Sequence, residues 1–367
     1  MHSSSFTSTL FVLNLAFAGG LAHGHPRPAR PGRGWRAENF KTLVTFGDSY
    51  TDENRLGYFI NNNGSAPSVG WEQPLGLNTA SGGLSWARYA SLYSNTTLYN
   101  YAVSGAVCSN ALTPRTFSAI NAPFPSIQSY ELPAYLADST YRTPNGSAFF
   151  HGAPASTAYA IWIGTNDLGN DAFLTDAQVS GKTLTDYVDC VYAAMDALVA
   201  AGARSFVLLN VAPLHLLPQY APPERGGVNA TKFFPNKPAN ITETHYRMRE
   251  AVATVNAIFR YRTPFHVAVD GRWGPDVQVA DFDVSALMAD IWGNPAAYLN
   301  GSAPLDVTGV INKCDAQGGN CVEVERERRD SYMWFDELHP SEQTSRVVAR
   351  EFVGVLEGRS KWARYWG

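Results

Sequence analysis

Charge is scarce in this chain. Only 16% of its 367 residues are charged, 28 basic against 32 acidic, for a net charge of −4. No run of like charges marks a tail for nucleic acid, so no polyanion partner is expected. The mixed-sign run Glu323–Asp330 reads as solvated surface. Cysteine is scarce too: four residues, none at a zinc-ligand spacing, exclude both a disulfide-dense scaffold and a structural zinc site. No metal or cofactor is expected. The chain also lacks any run of about 20 apolar residues, so no membrane span is expected. Internal repeats and a second domain boundary are absent as well.

What remains is rich in core-forming material, with 45% apolar and 13% aromatic residues. The apolar run Leu10–Ala18 followed by small residues reads as a signal peptide over 1–22. A Pro/Arg/Gly-rich linker over 23–40 leads into one domain, 41–367. Six Asn-X-Ser/Thr sequons, at Asn63, Asn95, Asn145, Asn229, Asn240 and Asn300, suit a secreted, extracellular glycoprotein. Cys314 and Cys321 bracket a flexible loop and are expected to form a disulfide. Cys108 and Cys190 either pair or are buried thiols. A monomer is expected.

Strand candidates recur at Thr42–Phe46, Leu98–Val103, Ala158–Ile163, Ser205–Asn210 and Val277–Phe282. Several are continuous apolar runs, as in parallel strands covered on both faces. A helix is read from about Leu184 to Ala201, and another after Pro340-Ser341. The alternation predicts an α/β class domain: three α/β/α layers around a mostly parallel, five-stranded central sheet. Irregular insertions at roughly 110–155, 213–244 and 300–330 read as candidate walls of a binding site. Ligands of open parallel sheets bind at the carboxyl ends of the strands, where Ser49, Gly105 and Asn166 would lie.

Ser49, after the turn Gly47-Asp48, is a candidate nucleophile, and a serine hydroxyl needs a base to take its proton. Among eight histidines His339 is the best base, because Asp336 three residues earlier can orient its ring. Glu337 is the competing carboxylate. His215 and His266 lack such a partner and read as structural. An oxyanion needs fixed donors, for which the Ser49 and Gly105 N–H groups and the Asn166 amide are candidates. Asp167 reads as turn support. Trp71, in the Gly/Asn/Ser-rich run 61–83, is the expected substrate contact among several tryptophans.

Gly47-Asp48-Ser49, Gly105, Gly164-Thr165-Asn166-Asp167 and Asp336-Glu337-Leu338-His339 resemble, in order, the four blocks of the SGNH/GDSL hydrolases. Phe46–Asn54 and Trp334–Ser341 look like the secreted fungal acetyl esterases of carbohydrate esterase family 16. The resemblance implies a flavodoxin-like SGNH hydrolase fold with Ser49 as nucleophile, His339 as base and Asp336 as its orienter. It implies Ser49, Gly105 and Asn166 as oxyanion donors, and acetylated plant cell-wall carbohydrate, such as xylo-oligosaccharides, as substrate. Two other readings stay open: a GDSL-type lipase or lysophospholipase on longer acyl esters, and a catalytically silent carbohydrate-binding glycoprotein.

Overall fold

The continuous apolar runs do form the centre of the molecule. The computed structural model describes residues 34–77, 79–118 and 120–367. Its strands are β1 Thr42–Gly47, β2 Thr97–Asn100, β3 Thr116–Phe117, β4 Ala122–Pro123, β5 Thr157–Trp162, β6 Ser205–Leu209, β7 Gln278–Phe282, β8 Asp306–Val310, β9 Asn312–Lys313, β10 Val322–Glu323, β11 Tyr332–Trp334 and β12 Ala363–Trp366. Its α-helices are α1 Arg55–Asn61, α2 Trp86–Ser94, α3 Leu132–Thr140, α4 Leu184–Ala200, α5 Ile241–Ala268, α6 Val284–Gly293 and α7 Glu342–Leu356.

The central sheet has the order β12-β7-β6-β5-β1-β2 and is parallel except for β12. It therefore has six strands where the sequence predicts five. The sixth is four residues long and antiparallel, and Arg364 interrupts its apolar character. Every residue of β1, β5 and β6 is buried, because helices cover both faces. Trp86 of α2 packs on Trp162 of β5 and on Phe352 of α7 on one side. Tyr135 of α3 meets Tyr159 of β5 on the other, where Tyr187 of α4 meets Phe259 of α5. These are the three layers expected.

Three readings need correction. The expected linker 23–40 is, from residue 34, part of the fold: Trp35 and Phe40 are buried, and Trp35 packs 5.6 Å from Phe40 and 5.5 Å from Tyr365. Residues 1–33, with the expected signal peptide, lie outside the described residues. The strand expected at Leu98–Val103 ends at Asn100, although Tyr101 and Val103 still donate to Thr45 and Gly47 carbonyls of β1. The insertions are also less irregular than their composition suggests, since α3 lies inside 110–155 and the insertion expected at 213–244 runs into α5. That helix has 28 residues and buries a stripe through Met248, Val252, Val255 and Phe259. Its N-cap is Asn240, whose side chain accepts the Glu243 N–H.

Both cysteine pairs are bridged, Cys108–Cys190 and Cys314–Cys321. The first ties the segment after β2 to α4; the second closes the tip of the β9–β10 hairpin. All six sequon asparagines are exposed.

Trp35→Ala is expected to destabilise the protein by about 3–5 kcal/mol, the usual cost of deleting a buried Trp. Denaturant unfolding measures it. A change below about 1 kcal/mol would return residues 34–40 to the linker.

Candidate active site

Gly47 ends β1 at a place where no side chain fits: a Cβ there would lie 2.2 Å from the Trp162 carbonyl oxygen. The chain then turns through Asp48, whose carbonyl accepts the Thr51 and Asp52 N–H groups, and presents Ser49 at the carboxyl end of the sheet. Ser49 keeps only 8% of its surface exposed.

His339 arrives from the opposite end of the chain. Its loop is fixed on both sides: Phe335 N–H donates to the His339 carbonyl, and Ser341 caps α7 by accepting the Thr344 N–H. Within it, His339 Nε2 lies 2.8 Å from Ser49 Oγ, and Nδ1 lies 2.8 Å from Asp336 Oδ1. That carboxylate oxygen also accepts the Leu338 and His339 N–H groups, at 3.0 and 2.9 Å. Tyr50 donates to the Leu338 carbonyl and sets its ring 5.9 Å from the imidazole. The competing Glu337 makes no bond to the imidazole. Its backbone carbonyl accepts from Gln219, and burial raises its carboxyl above the ordinary value.

The oxyanion candidates gather beside Ser49. Val103 pairs with Gly47, so the turn that follows it lies next to the serine. Gly105 has φ +90°, a left-handed conformation that glycine adopts freely. A Cβ on it would lie 3.0 Å from the Phe124 ring. Asn166 donates to the Ala106 carbonyl at 2.9 Å, which holds its amide at the same turn. Among the described residues, the N–H groups of Ser49 and Gly105 have no protein acceptor. Donors left free beside a hydroxyl paired to an imidazole can accept charge developing on a substrate oxygen.

Trp71 is not brought to this place. Its ring packs 5.0 Å from Tyr58 and 5.0 Å from the Arg55 guanidinium. The recess it borders, with Asn100 and Asp138, includes none of Ser49, Asp336 and His339. The preference of an indole for a cationic, aromatic neighbour accounts for that placement.

Besides Tyr50, two aromatic rings at the site come from the insertions. Phe124, at the end of the β3–β4 hairpin, stands over Gly105 and under Arg115. Phe233 sets its ring 5.2 Å from the His339 ring. Its N–H donates to Thr231 Oγ, which bonds Gln219, which donates through its backbone to Glu337 in the His339 loop. Position inside an insertion was their only signal in the sequence.

Buried carboxyl groups brace the loops from below. Glu131 accepts the Gly47 and Val103 N–H groups. Asp52 accepts the N–H and hydroxyl of Ser104, and the N–H of Arg55. Asp167 accepts the Cys108 N–H and the Thr113 hydroxyl. Burial pushes Asp48 up to about 6 and Asp167 up to about 7, and raises Glu131 well above the carboxylate range. None of this was read from the sequence beyond turn support by Asp167.

A buried acid with a raised value holds its proton in the folded chain where the unfolded chain has released it. Stability is therefore gained as pH falls through the folded value and lost as pH rises through it. His215, pushed down to about 4 by burial, opposes this below its ordinary value near 6.5. The melting temperature is thus expected to rise as pH is lowered from about 8 to about 6.5, and Asp167→Asn to flatten that rise. Calorimetry across the interval decides; a fall in wild-type melting temperature would contradict the raised values.

The sequence has counterparts among known proteins. The family model for GDSL-like lipases and acylhydrolases matches residues 43–352. An acetylesterase of Hypocrea jecorina is 42% identical over 330 residues, 90% of this chain and 92% of that protein. An acetylesterase of Thermothelomyces thermophilus is 27% identical over 349 residues, 92% of this chain and 95% of that protein. Among solved structures, an acetylxylan esterase from Geobacillus stearothermophilus is similar over 86% of this chain and 94% of that one, at 13% identity and a TM-score of 0.37. This chain belongs to the GDSL-like lipase/acylhydrolase family and is a carboxylic ester hydrolase.

Proposed function

We propose that the protein is a secreted esterase removing acetyl groups from plant cell-wall carbohydrate, with Ser49 as nucleophile. His339 Nε2 takes the hydroxyl proton as Ser49 Oγ attacks the ester carbonyl. Asp336 holds the imidazole by Nδ1 and stabilises its charged form. The Ser49 and Gly105 N–H groups, with the Asn166 amide, receive the oxyanion. The sugar hydroxyl departs with the proton from His339, and water releases acetate from the acyl-enzyme by the same steps.

The observation that carries the acetyl reading is the Phe124 ring over Gly105. A ring standing beside this candidate oxyanion donor limits the room for a long acyl chain there. The 42% identical acetylesterase supports the same reading. Two disulfides and six exposed sequons support a secreted glycoprotein. The rival, a lipase on longer acyl chains, has one observation in its favour: Leu75 and Leu77 are 66% and 65% exposed.

Ser49→Ala is expected to lower turnover by several powers of ten while the fold survives. Asp336→Asn should be severely impaired and Glu337→Gln mild, because only Asp336 touches the imidazole. Steady-state kinetics on an aryl acetate checks both, and the reverse ranking would transfer the orienting role to Glu337.

The acyl preference is tested with a chain-length series. On aryl esters kcat/KM is expected to fall from acetate through butyrate to octanoate, with acetate released from acetylated xylo-oligosaccharides. Phe124→Ala should raise the butyrate-to-acetate ratio, since each methylene given an apolar site is worth about 0.8 kcal/mol, roughly fourfold. A wild-type profile climbing through octanoate would replace the acetyl esterase by the lipase and leave the triad standing.

A further inference from the structure

A groove of about 660 Å³ lies between α5 and the β7–β12 edge of the sheet, bounded by the start of α6 and by residues 361–364. None of Ser49, Asp336, His339, Gly105 or Asn166 lines it. Its strands lie two and three steps or more from β1, and three strand spacings amount to about 14 Å. It is therefore a second site rather than an extension of the first.

The groove is cationic in an acidic protein. Arg249 and Arg260 of α5 line it with Lys361 and Arg364 of the C-terminal segment. None of the four takes part in an ion pair among the described residues. The lining acids are Asp281 and Asp283. Asp283 is engaged, accepting the Asn210 amide and the Ala286 N–H. Asp281 accepts the Trp366 indole N–H through one oxygen, and burial pushes it up to about 7. Asp290 of α6 lies outside the lining and is engaged by the Tyr298 hydroxyl and the Asn294 amide. The remaining amides are also paired, Asn256 with both backbone groups of Val211. Among the described residues three buried lining atoms have no partner: the second oxygen of Asp281, Nδ1 of His215 and the Trp362 indole N–H. Buried polar atoms without partners are rare, and an occupant with hydroxyl groups supplies what they lack.

Guanidinium groups bind carboxylates through paired N–H donors, and aromatic rings offer sugar rings a flat apolar face. Tyr261, 69% exposed, and Trp362 both line the groove, each with one ring face under a cation, Arg260 and Lys361 respectively. We propose that this groove binds an acidic oligosaccharide, a sugar chain bearing carboxylate groups, separately from the catalytic serine. The cationic lining stands by itself; the choice of a sugar as carrier of the carboxylates rests on the proposed function. A polysaccharide held there presents its esters to Ser49 at a raised effective concentration.

The test is titration calorimetry of the full chain with pentagalacturonate, with xylopentaose and citrate as controls. Pentagalacturonate is expected to bind. The affinity should fall about tenfold or more in Arg260→Gln/Arg364→Gln, and also in the wild type when salt is raised to about 0.5 M. Aryl-acetate kcat/KM of that variant should stay within about twofold of wild type, because neither arginine approaches the triad. Absence of pentagalacturonate binding would overturn the proposal. Equal binding of xylopentaose would remove the charge recognition, and equal binding of citrate the sugar, and either result overturns it. If the variant fails to fold, a salt-independent wild-type affinity is the overturning result. Acetate release is not read in this titration, so failure of the esterase reading and failure of the groove are separate results.

Discussion

Hydrogen bonds from backbone N–H groups to buried carboxyls hold the reactive loops in register. Glu131 joins the end of β1 to the turn carrying Gly105 through the Gly47 and Val103 amides. Asp52 joins the segment after Ser49 to Ser104. Asp167, next to Asn166, holds Cys108. Three loops that the sheet delivers only to one edge are thereby fixed to within hydrogen-bond tolerance. Without these ties, each loop could shift by an ångström without disturbing the sheet, and the 2.8 Å contact between Ser49 and His339 would be lost.

Such bracing is costly, since a carboxyl removed from water is stabilised only by the donors it finds. The raised values of Asp48, Asp167 and Glu131 record that desolvation outweighs the donors. The His339–Asp336 contact differs: two N–H groups converge on the oxygen that also meets the imidazole, and the loop supplying them is pinned at both ends. Rigidity at the site is thus built from local turns around His339 and from long-range acids around Ser49 and the Gly105 turn.

Legibility in the sequence followed the range of the interactions. Fully buried parallel strands show as apolar-rich runs, so β1, β5 and β6 were readable and the layers with them, and the less completely buried β7 was readable from Val277, Val279 and Phe282. The short β12 was not, because a four-residue edge strand leaves almost no pattern. Ser49, Asp336 and His339 stood out because each lies in a compact turn motif. Glu131, Phe124 and Phe233 act across 84 residues or from within loops, and nothing in their immediate neighbours records the partner. The stripe from Met248 to Phe259 was visible in principle, but exposed Tyr246, Tyr261 and Phe265 on the opposite side blur its period. The packing of Trp71 on Tyr58 and Arg55 was not readable for a related reason: composition identifies an aromatic residue and not what it stacks on.

The cap of α5 carries a practical consequence for work on glycans. Asn240 belongs to a sequon, yet its side-chain oxygen caps the longest helix among the described residues. A glycan on this residue would be borne by the nitrogen and leave the capping oxygen in place. Removing it by replacing Asn240 would therefore also uncap the helix, at about 1 kcal/mol, and would mimic a stabilising effect of the sugar itself. Replacing Thr242, which completes the sequon from inside the helix, separates the two.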